Sequence, residues 1–202
     1  NHANEDTTWE GLDALWDDLT AELAGIAVGT GEGPVRVSPV SISIGCLATL
    51  YKFRPKQTQK ALSEANTDYM GTLRKLRSNS DPAIRGSVSI FFGEVVSSTL
   101  FTHEELKGVT LLDVVNELSD KLKERLYSLK KSACTALGVC LNACIRYGQK
   151  PEFYELATMI VTTLLGISAD DYWVVRVEVA RILSEVDYEV LAKNSQSMLG
   201  IQ

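Results

Sequence analysis

Asp81-Pro82-Ala83-Ile84-Arg85-Gly86-Ser87-Val88 is the stretch on which the fold reading turns. Asp caps helices, and Pro suits a first helical turn, where its missing N–H would have no partner and its fixed φ already fits. An aliphatic residue and a base follow, Ile84-Arg85, with apolar Val88 three positions after the base. The same order returns along the chain: Val35-Arg36 with Pro39, Leu129-Lys130 with Ala133, Val175-Arg176 with Val179. The four aliphatic positions are spaced by 49, 45 and 46 residues. Asp170-Asp171 precedes the last opening much as Asp81 precedes the second.

Each opening leads into a second helical pattern, over about 58–77, 110–125 and 151–168, with another beginning after Tyr188. Breakers lie between the helices of a pair: Arg54-Pro55, Gly108 and Gly148-Gln-Lys-Pro151. A helical period in the forties is the mark of HEAT and armadillo arrays. One helix pair cannot bury its apolar stripe alone, so pairs stack until a continuous core forms. The expected fold class is therefore all-α: an α-solenoid of HEAT-like helix pairs, with three full pairs and partial units at both ends. Residues 1–202 read as one segment of a larger solenoid, because the chain starts at Asn1 and its last helical pattern runs off the end. An orphan helix (7–28) is followed by pairs at 34–80, 81–125 and 126–168, and a fourth pair begins over 171–202. No clear strand is found. Val174–Val179 alternates locally, but it runs into Ala180-Arg-Ile-Leu with helical spacing and is read as helix.

In the first helix Trp9, Leu12, Trp16, Leu19, Leu23 and Ile26 recur in alternating steps of three and four, one apolar stripe. Trp9 and Trp16 are accordingly expected in the core. Glu10, Asp13, Asp17 and Glu22 lie off the stripe, and the early acids suit the positive end of the helix dipole. Gly29-Thr-Gly-Glu-Gly-Pro34 ends this helix.

The charged residues at the openings are expected to form a structural ladder, an acid of one unit meeting a base of the same or the next: Arg36, Asp81, Arg85, Lys130, Asp171 and Arg176. Such pairs set register more reliably than they add stability. Of Tyr172 and Trp173, one is expected to pack on the preceding pair and the other to be exposed. Core is the favoured reading for Trp173; at a concave rim it would be an interface anchor. Lys52, Arg54, Lys56, Lys60, Arg74, Lys75 and Arg77 make the first pair basic, and Lys121, Lys123, Arg125, Lys130 and Lys131 form a diluted second cluster. The favoured reading is a solvated face that also attracts the acidic first helix. An acidic protein partner at Lys52, Lys56 and Lys60 comes next, and Trp173 completes the candidate interface.

Within this frame the chain resembles the huntingtin family, in its amino-terminal HEAT region. The resemblance is carried by Pro34-Val-Arg-Val-Ser38 running into Ser41-Ile-Ser-Ile-Gly-Cys-Leu-Ala-Thr-Leu50, then Asp81-Pro-Ala-Ile-Arg-Gly86 and Ser132-Ala-Cys-Thr-Ala-Leu137. Asp171-Tyr-Trp-Val-Val-Arg-Val-Glu178 and Leu183-Ser-Glu-Val-Asp187 complete it, and the last block is the most specific. Residues 52–80 and 103–125 match poorly. The resemblance implies a very large, non-catalytic scaffold linked to vesicle transport along microtubules, autophagy and spindle orientation. It also implies a cytoplasmic and partly nuclear location, neighbouring HEAT repeats as contacts, and a tetratricopeptide-like huntingtin-associated protein as partner. Another HEAT or armadillo scaffold, such as a transport receptor or a phosphatase scaffold subunit, is the alternative.

Composition sets the outer limits. The chain has 202 residues, is 45% hydrophobic and 23% charged, and carries a net charge of −6, as a folded domain does and a disordered segment does not. The acidic balance removes a whole-chain electrostatic case for nucleic acid. No apolar run approaches a membrane span, so only peripheral membrane contact is expected. A Ser-His-Asp triad would need His2 or His103, one near the start of the chain and the other in a polar turn. Gly29-x-Gly31-x-Gly33 follows a helix and lacks a following Lys-Ser/Thr, so it is no phosphate loop. Adjacent carboxylates such as Asp17-Asp18, Glu104-Glu105 and Asp170-Asp171 point in different directions on a helix and read as solvated faces or caps. Cys140 and Cys144 lie one turn apart without a nearby His and read as buried thiols. No catalytic residue, cofactor or metal is expected.

Overall fold

The computed structural model describes residues 9–28, 37–98, 110–146, 150–190 and 192. The fold is all-α, with no strand among the described residues. Its residues cluster in two compact units, 1–91 and 92–202, the division falling within one helix. Each unit is built as an α-solenoid is, by stacking helix pairs.

The first unit holds α1 (Trp9–Val28), α2 (Val37–Phe53), α3 (Pro55–Ala65), α4 (Tyr69–Leu76) and the first part of α5 (Pro82–Ser98). Arg54 separates α2 from α3, and Pro55 takes the first helical position, where it needs no donor. α1 packs on both α2 and α3. α2 and α5, the opening helices of successive pairs, meet through the edge-to-face rings of Tyr51 and Phe91, with centroids 5.7 Å apart. The hydroxyls of Ser41 and Ser87 lie 3.0 Å apart between the same helices. Ile44, Leu47, Tyr51, Leu62, Leu73, Ile84 and Phe91 are fully buried, each large side chain contributing about 1.5–3 kcal/mol on leaving water.

The second unit holds the end of α5 and α6 (Leu111–Lys121), α7 (Tyr127–Arg146), α8 (Pro151–Gly166) and α9 (Trp173–Ser184). α7 is its axis, packed on α6, α8 and α9. Leu129, Leu137, Leu141, Cys134, Cys140 and Cys144 are all buried along it. Glycine at 138 lets α9 come close: a Cβ there would stand 2.9 Å from Cγ1 of Ile182. α6 opens with a capping box, the Thr110 hydroxyl accepting from the Asp113 N–H and the Asp113 carboxylate accepting from the Thr110 N–H. Burial pushes the Cys134, Cys140 and Cys144 thiols up to about 12, and Cys140 and Cys144 are buried as expected. Residues 174–179 are helical, within α9.

Three expectations need correcting. The second helix of the first pair is not continuous over 58–77; it breaks at Asn66 into α3 and α4. Asn66 is extended there (φ −157°, ψ 115°), and its side chain competes with the helical ladder. Nδ2 donates to the Val28 carbonyl and to Thr72 Oγ1, both at 3.0 Å, while Oδ1 accepts from the Asp68 N–H at 2.8 Å. The pattern expected over 110–125 is also shorter, since α6 ends at Lys121. The α1 stripe, finally, is not the buried face. Trp16 and Leu19 are each 41% exposed and Ile26 43%, while Thr20, Ala24, Ala27 and Val28 are buried. Two helices press on α1 together, and the small residues at 20, 24 and 27 permit the closer approach. Trp9 and Leu12 lack a described side-chain environment, and Gly108 and Gly148 lie outside the described residues.

Candidate functional site

The turns that open α5 and α9 have the same construction. Asn79 stands six residues before Arg85, and its Oδ1 accepts from the Asp81 N–H at 2.9 Å. Asp170 stands six before Arg176, and its Oδ1 accepts from the Tyr172 N–H at 3.0 Å. Each Asx side chain thus closes a local turn that ends the preceding connection. The arginine fastens that turn from the other side. Nη1 of Arg85 donates to the Asn79 and Ser80 carbonyls at 2.8 and 3.2 Å. Nη1 of Arg176 donates to the Asp170 and Asp171 carbonyls at 2.7 and 3.1 Å. Both guanidiniums therefore bind main-chain oxygens of their own turn, in place of a carboxylate of a neighbouring unit.

Lys130, at the matching place in α7, behaves differently. Its Nζ reaches Asp170 Oδ2 at 2.5 Å and lies 5.7 Å from the centre of the Tyr172 ring. Both ends are largely withdrawn from water, with side chains 16% and 7% exposed. Burial pushes the Asp170 carboxyl up, but Lys130, the Tyr172 N–H and Arg176 outweigh it and hold the group below the usual carboxylate range. The link from one pair to the next thus runs through Lys130 and Asp170, where the sequence reading put Asp171. Asp171 is exposed and contributes its carbonyl. Asp81 Oδ1 accepts from the Ala83 N–H at 2.6 Å and caps α5. Arg36 lies outside the described residues.

A second polar link joins α7 to α9. Oε1 of Glu178 accepts from Thr135 Oγ1 at 2.8 Å and from Arg181 Nη2 at 2.7 Å. Burial raises the Glu178 carboxyl, yet Arg181 and Thr135 leave it below its ordinary value. Glu178 and Thr135 escaped the sequence reading because each looks like an ordinary helix-face residue. Asn79 and Asp170 left a usable trace, since both stand at the same offset from the base.

Trp173 is 65% exposed, which overturns the core reading. Its neighbour Tyr172 packs back, its ring 5.7 Å from that of Tyr127 and its hydroxyl donating to the Arg125 carbonyl at 3.1 Å. Tyr172 thus packs on the preceding pair while staying 40% exposed, and Trp173 is more exposed still. Lys52, Lys56 and Lys60 are exposed as well. Lys52 Nζ lies 5.6 Å from the ring centre of Phe53, itself 72% exposed, and Lys60 Nζ is 3.8 Å from Glu64. Arg54 leaves this basic group to pair with Asp13 of α1, and stands 3.6 Å from Asp17. The second basic cluster is largely answered by its own chain: Lys121 by Glu117, Lys123 by Asp120, Lys130 by Asp170. A cleft of ≈ 260 Å³ in the second unit is lined by Leu112, Glu152, Glu155, Leu156 and Met159. It carries acids and aliphatics but no described nucleophile–base pair. Among the described residues no three His, Cys, Asp or Glu side chains are placed to hold a metal ion, and no helix is long and apolar enough to cross a membrane.

No known family model matches the chain. It is 23% identical over 194 residues to huntingtin of Takifugu rubripes, a match covering 86% of this chain and 6% of that protein. The chain thus spans a small fraction of that relative, and the relationship is a distant one at the level of a fragment. A crystal structure of an engineered protein is 18% identical with a TM-score of 0.49, covering 87% of this chain and 68% of the other.

Proposed function

We propose that this chain, distantly related to a segment of huntingtin, is a non-catalytic part of a helical-repeat scaffold and presents its outer surfaces to other proteins. The observation that supports this best is where its chemistry is used. The charged side chains at the openings bind turns and neighbouring helices, while Trp173 and the Lys52–Phe53 edge are left to solvent. Polar groups spent on register and aromatics left exposed describe a surface for recognition. On this reading Lys52, Lys56 and Lys60 receive an acidic face of a partner, and Trp173 is a separate anchor on the second unit. The partner is a tetratricopeptide-like huntingtin-associated protein, and the setting is the cytoplasm, in the transport, autophagy and spindle roles that the resemblance implies.

The test is a binding titration of the purified chain against that huntingtin-associated protein, using the wild type, the triple variant Lys52→Glu, Lys56→Glu, Lys60→Glu, and Trp173→Ser. Unchanged circular dichroism establishes that both variants fold. A tenfold or greater loss of affinity in either supports the reading. Failure of the wild type to bind, or full binding by both variants, overturns the assigned partner or the assigned surface respectively.

A further inference from the structure

α8 has two working faces. Phe153, Ala157, Ile160 and Leu164 are buried, and the helix packs on α7. Glu152, Glu155, Leu156 and Met159 recur at i, i+3, i+4 and i+7 and so share another side of the helix. With Leu112 of α6, which stays 47% exposed, they line the cleft of ≈ 260 Å³. The cleft lies between the second helices of two successive pairs, each packed on α7, and not on the outer side of a first or last helix. Its volume falls short of the roughly 300–1,000 Å³ that a drug-sized ligand occupies. It suits one large side chain. Met159 is unbranched and polarisable, and a methionine wall adapts to apolar side chains of different shape.

Charge selects what enters. α8 carries Glu152 and Glu155 and no Lys or Arg. Both acids are exposed, and among the described residues no cation pairs with either. The one base of α6, Lys121, answers Glu117 of the same helix. The rim of the cleft is therefore a pair of carboxylates one helical turn apart, beside aliphatic walls. A segment with an apolar side chain about one turn from a Lys or Arg satisfies both features at once. An acidic segment, an anionic lipid surface or a nucleic acid would set negative charge against the rim.

We propose that this cleft docks a basic segment of a partner protein, which inserts one Leu- or Phe-sized side chain between Leu112, Leu156 and Met159 and sets a Lys or Arg against Glu152 and Glu155. The site takes the charge opposite to that received by Lys52, Lys56 and Lys60. It deepens the scaffold reading and rests on it. The test uses neither the huntingtin-associated protein nor the lysine face, so the two can fail separately.

The experiment displays a library of short peptides with a central Leu or Phe, whose positions three and four away are drawn equally from Lys, Glu and Gln, and selects it on the immobilised full chain. Clones with Lys should be enriched at least tenfold over clones with Glu. Their binding should weaken at high salt and fall at least tenfold on the Glu152→Lys, Glu155→Lys double variant and on Leu112→Ser. Glu124→Lys, exposed beyond the far end of α6, and the triple variant of Lys52, Lys56 and Lys60 serve as controls and should bind as the wild type does. Should Leu112→Ser lose helix content, Met159→Gln replaces it. Equal enrichment of Glu clones, no enrichment at all, or a loss on charge reversal that the apolar variants do not share would overturn the proposal. So would sedimentation of the chain as an oligomer that Glu155→Lys and Phe53→Ser each dissociate, since the occupant would then be the Lys52–Phe53 edge of a second copy.

Discussion

Lys130 in α7 and Asp170 in the turn before α9, forty positions apart, meet at 2.5 Å with both side chains largely withdrawn from water. The ion pair also places the Lys130 ammonium at the face of Tyr172, so charge and ring together tie one helix pair to the next. Asp170→Asn keeps the oxygen that closes the local turn and removes the charge. The depressed Asp170 pKa fixes the pH dependence. Its stabilisation is fully present above the ordinary carboxylate value of about 3.9 and is lost as pH falls through the lower folded value. The variant should therefore be less stable by about 1–3 kcal/mol at pH 7, with the gap closing toward pH 3. Urea unfolding of both proteins at several pH values measures it. A gap independent of pH would show that the carboxylate charge is not what matters.

Asn66 ties the end of α1 to the break between α3 and α4 with three hydrogen bonds from one side chain. Asn66→Ala strips partners from the Val28 carbonyl and the Asp68 N–H and should cost about 1–3 kcal/mol. Native-state hydrogen exchange localises the effect, with faster exchange expected at the end of α1 and at the start of α4 and slower change in α7.

Two glycines should respond in opposite senses. A methyl at Gly138 meets Ile182 at 2.9 Å, so Gly138→Ala is expected to lower stability by about 1–3 kcal/mol through overpacking between α7 and α9. At Gly25 in α1 an added Cβ has nothing within 4 Å, and Gly25→Ala should raise stability by about 0.5–1 kcal/mol by reducing the freedom of the unfolded chain. Thermal melts of the two variants beside the wild type decide both.

The thiols divide by environment. Cys46 is exposed, whereas Cys134, Cys140 and Cys144 are buried, with pKa values pushed up to about 12. Thiolate is the reacting form, so a thiol reagent at pH 8 should modify one cysteine per native chain quickly and three more only after denaturation. Mass spectrometry after a timed pulse counts them.

The helix pairs were legible because their signals are local. Pro55, Pro82 and Pro151 each stand in the first turn of a helix, and a base recurs at nearly constant spacing through Arg85, Lys130 and Arg176. Such signals act within a few residues, whatever the helix later packs against. The ladder was half legible. The bases stand out by residue type, but the position that matters is the one six before the base, and its type varies: Asn79 fills it in one turn and Asp170 in the other.

From the sequence alone follow the all-α class, the pairing of helices and the spacing of their openings, since propensity, caps and periodicity are properties of short stretches of chain. Only tertiary structure decided which face of α1 is buried, that Asn66 divides a helix, that Trp173 is exposed and that Lys130 answers Asp170. Each of these depends on how closely two distant helices approach. Side-chain size sets that distance: Ala24 and Ala27 admit two helices where Trp16 and Leu19 would hold them off, and the larger stripe is left facing solvent.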